Sequence, residues 1–570
     1  MIPILATLTA IPIAAFTGLA QAAAPYCLPN DACFPSEPEL QAFNSSLNGK
    51  LIRNTPYGAP CYAATYDAAA CKDIATRKRS YEYRFDLPGA MVYPNWEQDE
   101  QGNGCPVPDL PADGSAPPAT NGTCALGGMS LYSVNATEVD DVVKTMQFVK
   151  KHNLKFRIKN TGHDYIGRSA GEDSFALWTR HMKGIDFVEG FKACPESQAE
   201  NVLALSPATL VEEVYAAGAQ HGVVAVGGFG PTVGAGGGYV LGGGTGPLGN
   251  YFGLAVDNVV QFEVVTADGR KEIANACTNT DLFWALRGGG GSFAVVTKTY
   301  LKTYPAFESV QTALGVVQCE GRESWIELVT RMVKAQAFLR KDGITGAWQS
   351  DNGKLMSPMV FIRPSGYGDS DFSEQLQQFQ NVTGCEGALN VQRFTGSTSW
   401  NEAYQKHLLN LIKPSLPAGN NIVASSRLVS NDIITDDTRL QTIIDYLTNL
   451  DPGVSLLWQN AVGDASSKIS PEATAVHPEW RNAFAFVDFS IPGPWSGLST
   501  LQNSLMEKTR DSAEATFGKA VFYNEMSEFE EDWQNQAFGS NYPHLLEIKD
   551  KYDPTGVFSC RRCVGSENGY

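Results

Sequence analysis

The residues able to do chemistry gather in two stretches. In RIKNTGHDYIGRSAG, Arg157 to Gly171, a histidine stands between Gly162 and Asp164. A glycine-permissive loop lets its backbone approach a ligand closely while His163 projects into it. The spacing leaves a second reading open, a hydrogen-bonded structural histidine in a turn. The denser signal is GGFGPTVGAGGGYVLGGGTGPLGNYFG, Gly227 to Gly253. Its glycines are interleaved with Val233, Tyr239, Val240, Leu241, Tyr251 and Phe252, unlike a flexible linker. Backbone N–H groups held close to a ligand in this way suit a diphosphate. Gly244 to Gly249 formally satisfies G-x-G-x-x-G. No strand leads into it, and Pro247 and Asn250 disfavour a following helix, so the Rossmann reading fails.

Further candidates each carry two readings. Arg287, before the run Gly288 to Gly291, could touch a phosphate or neutralise helix-terminal carbonyls. Glu525 could be a proton acceptor or a solvated carboxylate of the acidic stretch Glu525 to Asp532. Trp325, Trp458 and Trp480 could line a pocket or fill a core. Cys560-Arg-Arg-Cys563 reads as a structural pair in an exported chain. The histidines show no metal-ligand spacing, so no metal is expected.

The elements that must position these residues follow from hydrophobic periodicity. LYSVNATEVDDVVKTMQFVKKHNLKFRIKN predicts a strand, a helix capped by Thr137 with Val142, Val143, Met146 and Val149 on one face, and a strand leading to His163. NVLALSPATLVEEVYAAGAQHGVVAVGG repeats that order. A hairpin turning at Asp268-Gly269 and a short helix, glycine turn and Val-rich strand complete the block. Beyond Pro305, helices over Trp325 to Arg340, Asp437 to Leu450 and Leu501 to Phe517 alternate with strands LMSPMVFIRP, NIVASSRLV, VSLLWQNAV and AFAFVDFSI, predicting an α+β lobe. A last helix stops at Asp553-Pro554.

Bulk properties narrow the class. A chain of 570 residues exceeds one compact core and calls for two or more lobes. The net charge of −18 argues against nucleic acid and anionic membranes as partners. Three features point to secretion: an apolar leader ending in small residues near Ala20 to Ala24, 12 cysteines, and sequons at Asn44, Asn121, Asn135 and Asn381. Short spacings suggest the pairs Cys27–Cys33, Cys61–Cys71 and Cys105–Cys124.

Taken in order, the motifs R-x-K-x-T-G-H-D-Y-x-G-R-S, G-P-T-V-G-A-G-G-G, F-G-L-A-V-D-N-V-V, D-L-F-W-A-L-R-G-G-G-G and K-Y-D-P-x-G-x-F resemble the vanillyl-alcohol oxidase/p-cresol methylhydroxylase flavoproteins. W-T-R-H-M-K-G-I and the terminal S-C-x-x-C-V-G-S-E are similar to secreted fungal members of its berberine-bridge-enzyme-like branch. The resemblance spans about Leu131 to Tyr304 and Tyr523 to Glu567. It implies FAD bonded to His163 through the flavin 8α-methyl group. Relatives with a second flavin bond carry a cysteine where this chain has Gly230, so a single link is implied. The resemblance places Asn160, Thr161, Gly162, Asp164, Tyr165, Gly167, Arg168 and Ser169 around the flavin. It adds Gly230, Pro231, Thr232, Gly234, Gly236, Gly237, Gly238, Gly242 and Gly243, and then Asp257, Val259 and Asn524. Val233 matches a position beside the flavin where valine favours access of oxygen. In relatives a Tyr or Glu in the substrate lobe or near the C-terminus often serves as base; Glu525 stands where a Tyr is expected and is the candidate base, with Tyr523 second.

The expectation is therefore an α+β protein with a two-lobed FAD-binding (PCMH-type) domain and an α+β substrate domain built on an antiparallel sheet. Its boundaries are a signal peptide at 1–24, a disulfide-stapled extension at 25–119, an FAD domain at 120–305, a substrate domain at 306–514 and a returning segment at 515–570. The expected activity is oxidation of an alcohol, sugar or related C–H, with oxygen reduced to hydrogen peroxide, by a secreted monomer. A flavin-dependent dehydrogenase or oxidative cyclase is the alternative, and a non-catalytic secreted binding protein the third reading.

Overall fold

The computed structural model describes residues 26–351, 353–409, 418–460, 462–494 and 499–568. The leader expected over 1–24 lies outside them. The first sheet joins β1 (Leu51–Arg53), β2 (Tyr132–Asn135), β3 (Phe156–Lys159) and β4 (Phe175–Trp178) in the order β1-β2-β4-β3. Strands β2 and β3 run parallel to β4, as a βαβ unit requires, while β1 pairs antiparallel with β2. The extension is thus part of this sheet and not a separate appendage.

The intervening helix, Val139–Lys151, begins with Asp140 and Asp141 and ends with Lys150 and Lys151, matching its dipole. Its N-cap is Glu138, one residue later than expected. The Asp141 carboxylate reaches back to accept from the backbone N–H of Thr137 and Glu138, so Thr137 is not needed as the cap. Val142, Met146 and Val149 are buried as the periodicity predicts.

The second sheet has five strands: β5 (Ile185–Phe191), β6 (Glu200–Leu205), β7 (Val259–Val265), β8 (Lys271–Asn275) and β9 (Val295–Lys302). Their order is β5-β6-β9-β7-β8, all antiparallel. The turn between β7 and β8 uses Gly269 at φ +80°, as the D-G signal requires.

The third sheet, seven-stranded and antiparallel, carries the substrate lobe. It comprises β10 (Ser309–Cys319), β11 (Thr345–Asp351), β12 (Leu355–Pro364), β13 (Cys385–Thr395), β14 (Asn421–Ser430), β15 (Ser455–Asn460) and β16 (Ala483–Gly493). The order is β13-β10-β12-β11-β15-β16-β14. Period-two alternation gives its two faces different fates. Ala485, Val487, Phe489 and Ile491 share a core with residues of the helices Arg322–Lys341, Asp437–Thr448 and Thr500–Phe517. Asp488, Ser490 and Pro492 on the same strand line a cavity on the other face.

The tail returns to the first lobe. From the helix Tyr542–Tyr552, Lys549 donates to the carbonyls of Ser292 and Phe558, at 2.8 and 2.9 Å, and pairs with Asp553. The three short disulfides expected from spacing are present, together with Cys194–Cys277, Cys319–Cys385 and Cys560–Cys563. Among the described residues no helix is long and apolar enough to cross a membrane.

Candidate active site

A cavity of about 540 Å³ lies between the first two sheets and the inner face of the third. His163 follows β3 through Gly162, whose φ of +81° turns the loop into the cavity. Its Nδ1 lies 3.0 Å from Thr161 Oγ1 and its Nε2 3.2 Å from Thr232 Oγ1. The Tyr81 ring stacks on the imidazole. Burial lowers its pKa to about 3, so the ring is neutral at ordinary pH and keeps a lone pair.

Sequence reasoning assigned no role to the extension at this point, yet the extension braces the loop. The Val92 N–H donates to Gly162 O at 3.1 Å, and the Trp96 Nε1–H to Tyr165 O at 3.0 Å. Arg84 and Glu97, both buried, form an ion pair, and Glu97 accepts from the Met91 N–H. Beside them Lys159 is buried against carbonyls of Leu87 and Pro88, its pKa lowered by desolvation to about 7.

Asn160, Thr161, Gly162, Asp164, Tyr165, Arg168 and Ser169 share the cavity wall with Gly230, Val233, Gly234, Gly237, Gly238, Tyr523, Asn524 and Glu525. A Cβ added at Gly238 or Gly291 would meet no protein atom within 4 Å. Both glycines line the cavity, so side chains there would fill its space. Asn160 Oδ1 and Arg168 Nε are buried without hydrogen-bond partners. A large ligand carrying anionic and hydrogen-bonding groups, as FAD does, fits a wall with open glycines and such unfilled polar atoms.

Other predicted residues stand behind that wall. Thr232 touches the cavity only through His163. Gly167 packs beneath Trp96, Gly236 beneath the Ser206 carbonyl and Gly242 against Asn524. The Pro231 carbonyl accepts from the Glu212 N–H, and Gly243 supports the loop at φ +122°. Asp257 is committed to a bidentate pair with Arg481, both bonds 2.8 Å, and Val259 is buried at the start of β7. The side chains of these last two residues are engaged by an ion pair and by the core. Arg287 donates to the carbonyls of Phe283 and Ala473, which is its helix-terminal reading. Trp325, Trp458 and Trp480 are buried.

The half of the cavity under the third sheet holds a carboxyl pair. Glu525, after Asn524 in the returning segment, faces Asp488 of β16. Burial, followed by the charge of Glu525, pushes Asp488 well above the carboxylate range, and burial raises Glu525 as well. Asp488 Oδ2 accepts from Gln459 Nε2 at 3.0 Å, while Oδ1 is buried with no hydrogen-bond partner. Tyr93 and Tyr165 stack at 4.7 Å beside the pair. Tyr523 does not join this group: its hydroxyl points to Cys563 Sγ at 3.7 Å, and Arg168 lies over its ring. Asp488, Gln459, Tyr81 and Tyr93 were missed from sequence. The lone carboxylate in AFAFVDFSI was the available signal, since an apolar strand tolerates a buried charge only for a reason.

Comparisons with known proteins identify the family. The FAD binding domain family matches residues 131–275, and the berberine and berberine-like family matches residues 521–564. A VAO-type flavoprotein oxidase, VAO615, of Thermothelomyces thermophilus is 31% identical over 95% of this chain and 92% of its own. The crystal structure of the VAO-type flavoprotein MtVAO615 from Myceliophthora thermophila C1 aligns with a TM-score of 0.80 at 28% identity, covering 95% of this chain and 98% of that one. Glucooligosaccharide oxidase from Acremonium strictum, with a 6-S-cysteinyl, 8α-N1-histidyl FAD, shares the fold at a TM-score of 0.62 and 20% identity, covering 76% and 92%. A glycine-lined cavity, a histidine on its wall and similarity across nearly the whole chain converge: the protein belongs to the VAO-type, berberine-bridge-enzyme-like family of FAD-linked oxidoreductases.

Proposed function

We propose that the chain is a secreted oxidase that holds FAD by a single covalent link at His163. On this reading it oxidises an alcohol, sugar or related C–H, with oxygen leaving as hydrogen peroxide. The observation that carries this reading is one cavity lined by the neutral imidazole of His163 and by the carboxyl pair of buried Asp488 and half-buried Glu525. Bound FAD supplies the two-electron acceptor for a hydride from the substrate C–H.

The chain's residues do the rest. His163, unprotonated and held between Thr161 and Thr232, offers a ring nitrogen for attachment. Arg168, whose Nε is unpartnered, and the amides around Gly234 to Gly238 would hold the diphosphate, and Asn160 Oδ1 would accept from a donor on the cofactor. The Asp488–Glu525 pair takes the substrate hydroxyl proton as the hydride leaves, Gln459 fixes the Asp488 carboxyl, and Tyr93 and Tyr165 wall the site from water. Tyr523 serves as a platform for Arg168, and Val233 shapes access from the Gly230 side. Six disulfides support export, and small-molecule substrate and oxygen are the partners. The test is anaerobic mixing with a panel of alcohols and oligosaccharides, followed by readmission of air. Bleaching of the flavin and then stoichiometric peroxide are expected, whereas bleaching without peroxide would identify a dehydrogenase.

A further inference from the structure

The wall of the third sheet has a charge pattern that bears on what enters the cavity. Among the described residues, β11, β12, β14, β15 and β16 contribute no lysine or arginine to it, but contribute Asp351 and Asp488. The cavity's two arginines stand on the first-sheet side, away from this wall, Arg157 on β3 and Arg168 in the loop after it. Arg157 donates to the carbonyls of Phe156, Ala170 and Ser559, and Arg168 to that of Tyr523.

Asp351 ends β11 beside Ser455. Ser455 Oγ donates to Asp351 Oδ1 at 2.6 Å, and Gln349 Nε2 lies 3.2 and 3.1 Å from the two carboxylate oxygens. Its protein partners are neutral donors, and among the described residues no lysine or arginine forms an ion pair with it. A carboxylate kept in a cavity by neutral donors alone retains an uncompensated field that attracts a cation and repels an anion. The second observation is Asp488, nine-tenths buried on the same face, whose Oδ1 meets no N–H or hydroxyl donor and which faces a second carboxyl, Glu525.

Register sets the distance between them. Asp488 and Ser490 are two residues apart on β16, Ser490 pairs with Ser455 on β15, and Ser455 bonds to Asp351 on β11. Two residues along a strand and two strands across place the Cα atoms of Asp488 and Asp351 about 12 Å apart.

We infer that the substrate is a cation, carrying a protonated nitrogen that Asp351 receives while the C–H to be oxidised lies at Asp488 and Glu525. This rests on the proposed oxidase reading for the position of the reacting carbon, but the charge preference itself requires no turnover. Asp351 is a specificity residue, with Gln349 and Ser455 holding its carboxylate toward the cavity.

The test is calorimetric titration of the holoprotein with phenylpropylammonium, phenylpropanol and phenylpropanoate, isosteric probes of different charge. Binding is expected in that order, the cation at least tenfold tighter than the alcohol, with the margin shrinking at high salt. Asp351→Asn brings the cation to the level of the alcohol, and Asp351→Glu keeps the order, which separates lost charge from lost folding. Equal binding of all three, tightest binding of the anion, no binding of any, or an unchanged order in Asp351→Asn would overturn the inference. Failure of the oxidase reading looks different: no compound of any charge bleaches the flavin anaerobically, whatever the order of binding.

Discussion

The rings of Tyr81 and His163 lie face to face, 5.1 Å between centroids and 13° from parallel. Tyr81 belongs to the extension and His163 to the loop after β3, so the proposed attachment nitrogen takes its orientation from a segment outside the matched family domains. Such a stack contributes about 0.5–1.5 kcal/mol beyond burial. Tyr81→Leu, which keeps an apolar group there, is expected to lower the fraction of covalently held flavin several-fold, while Tyr81→Phe keeps it. In-gel flavin fluorescence after denaturation measures that fraction, and an undiminished signal in Tyr81→Leu would remove the extension from flavin attachment.

Asp488→Asn and Glu525→Gln should each slow anaerobic flavin reduction by about 10²–10⁴, the usual contribution of a positioned base. Because burial raises both groups, and the charge of Glu525 raises Asp488 further, the wild-type reduction rate should climb with pH beyond the ordinary carboxylate range. Stopped-flow traces across pH check this, and a flat profile with unimpaired variants would take the pair out of the reaction.

The same shift has a cost in stability whose sign is fixed by linkage. A carboxyl whose folded pKa lies above its unfolded value favours the folded state fully only below the unfolded pKa, and that advantage is lost as pH rises through the folded pKa. Asp488→Asn should therefore melt higher than wild type at alkaline pH, with the gap closing under acid. Differential scanning calorimetry at two pH values reads the difference. A variant less stable at both would mean that Asp488 is structural.

Gly238→Ala and Gly291→Ala place a methyl group in open cavity, and neither backbone is left-handed, so both variants should fold like wild type. Each should weaken FAD retention, seen as a lower ratio of flavin to protein absorbance. Gly242→Ala should behave differently, since its Cβ would fall 2.0 Å from Asn524 Oδ1 and disturb the fold itself. Full flavin content in Gly238→Ala and Gly291→Ala would show that the ligand lies elsewhere.

Legibility from sequence followed physical range. Strand LMSPMVFIRP is β12 residue for residue, and AFAFVDFSI begins β16, because local apolar patterning encodes them. The loop of His163 was readable for the same reason, being contiguous. Asp488 was not, since its meaning arises only when β16 aligns beside β15 and Gln459 and the tail brings Glu525 opposite. Tyr81 and Tyr93 lie in a stretch without periodicity, so only their packing against His163 and Tyr165 gives them a role. The ion pair of Asp257 was not legible either, because its partner Arg481 lies 224 residues away.

Mass spectrometry of peptides from acid-denatured protein tests the central claim most directly. The account predicts a yellow precipitate and a peptide spanning His163 that carries the mass of one FAD on that histidine, with His163→Ala releasing free flavin into the supernatant. A colourless precipitate, or flavin bonded to any other residue, would contradict it.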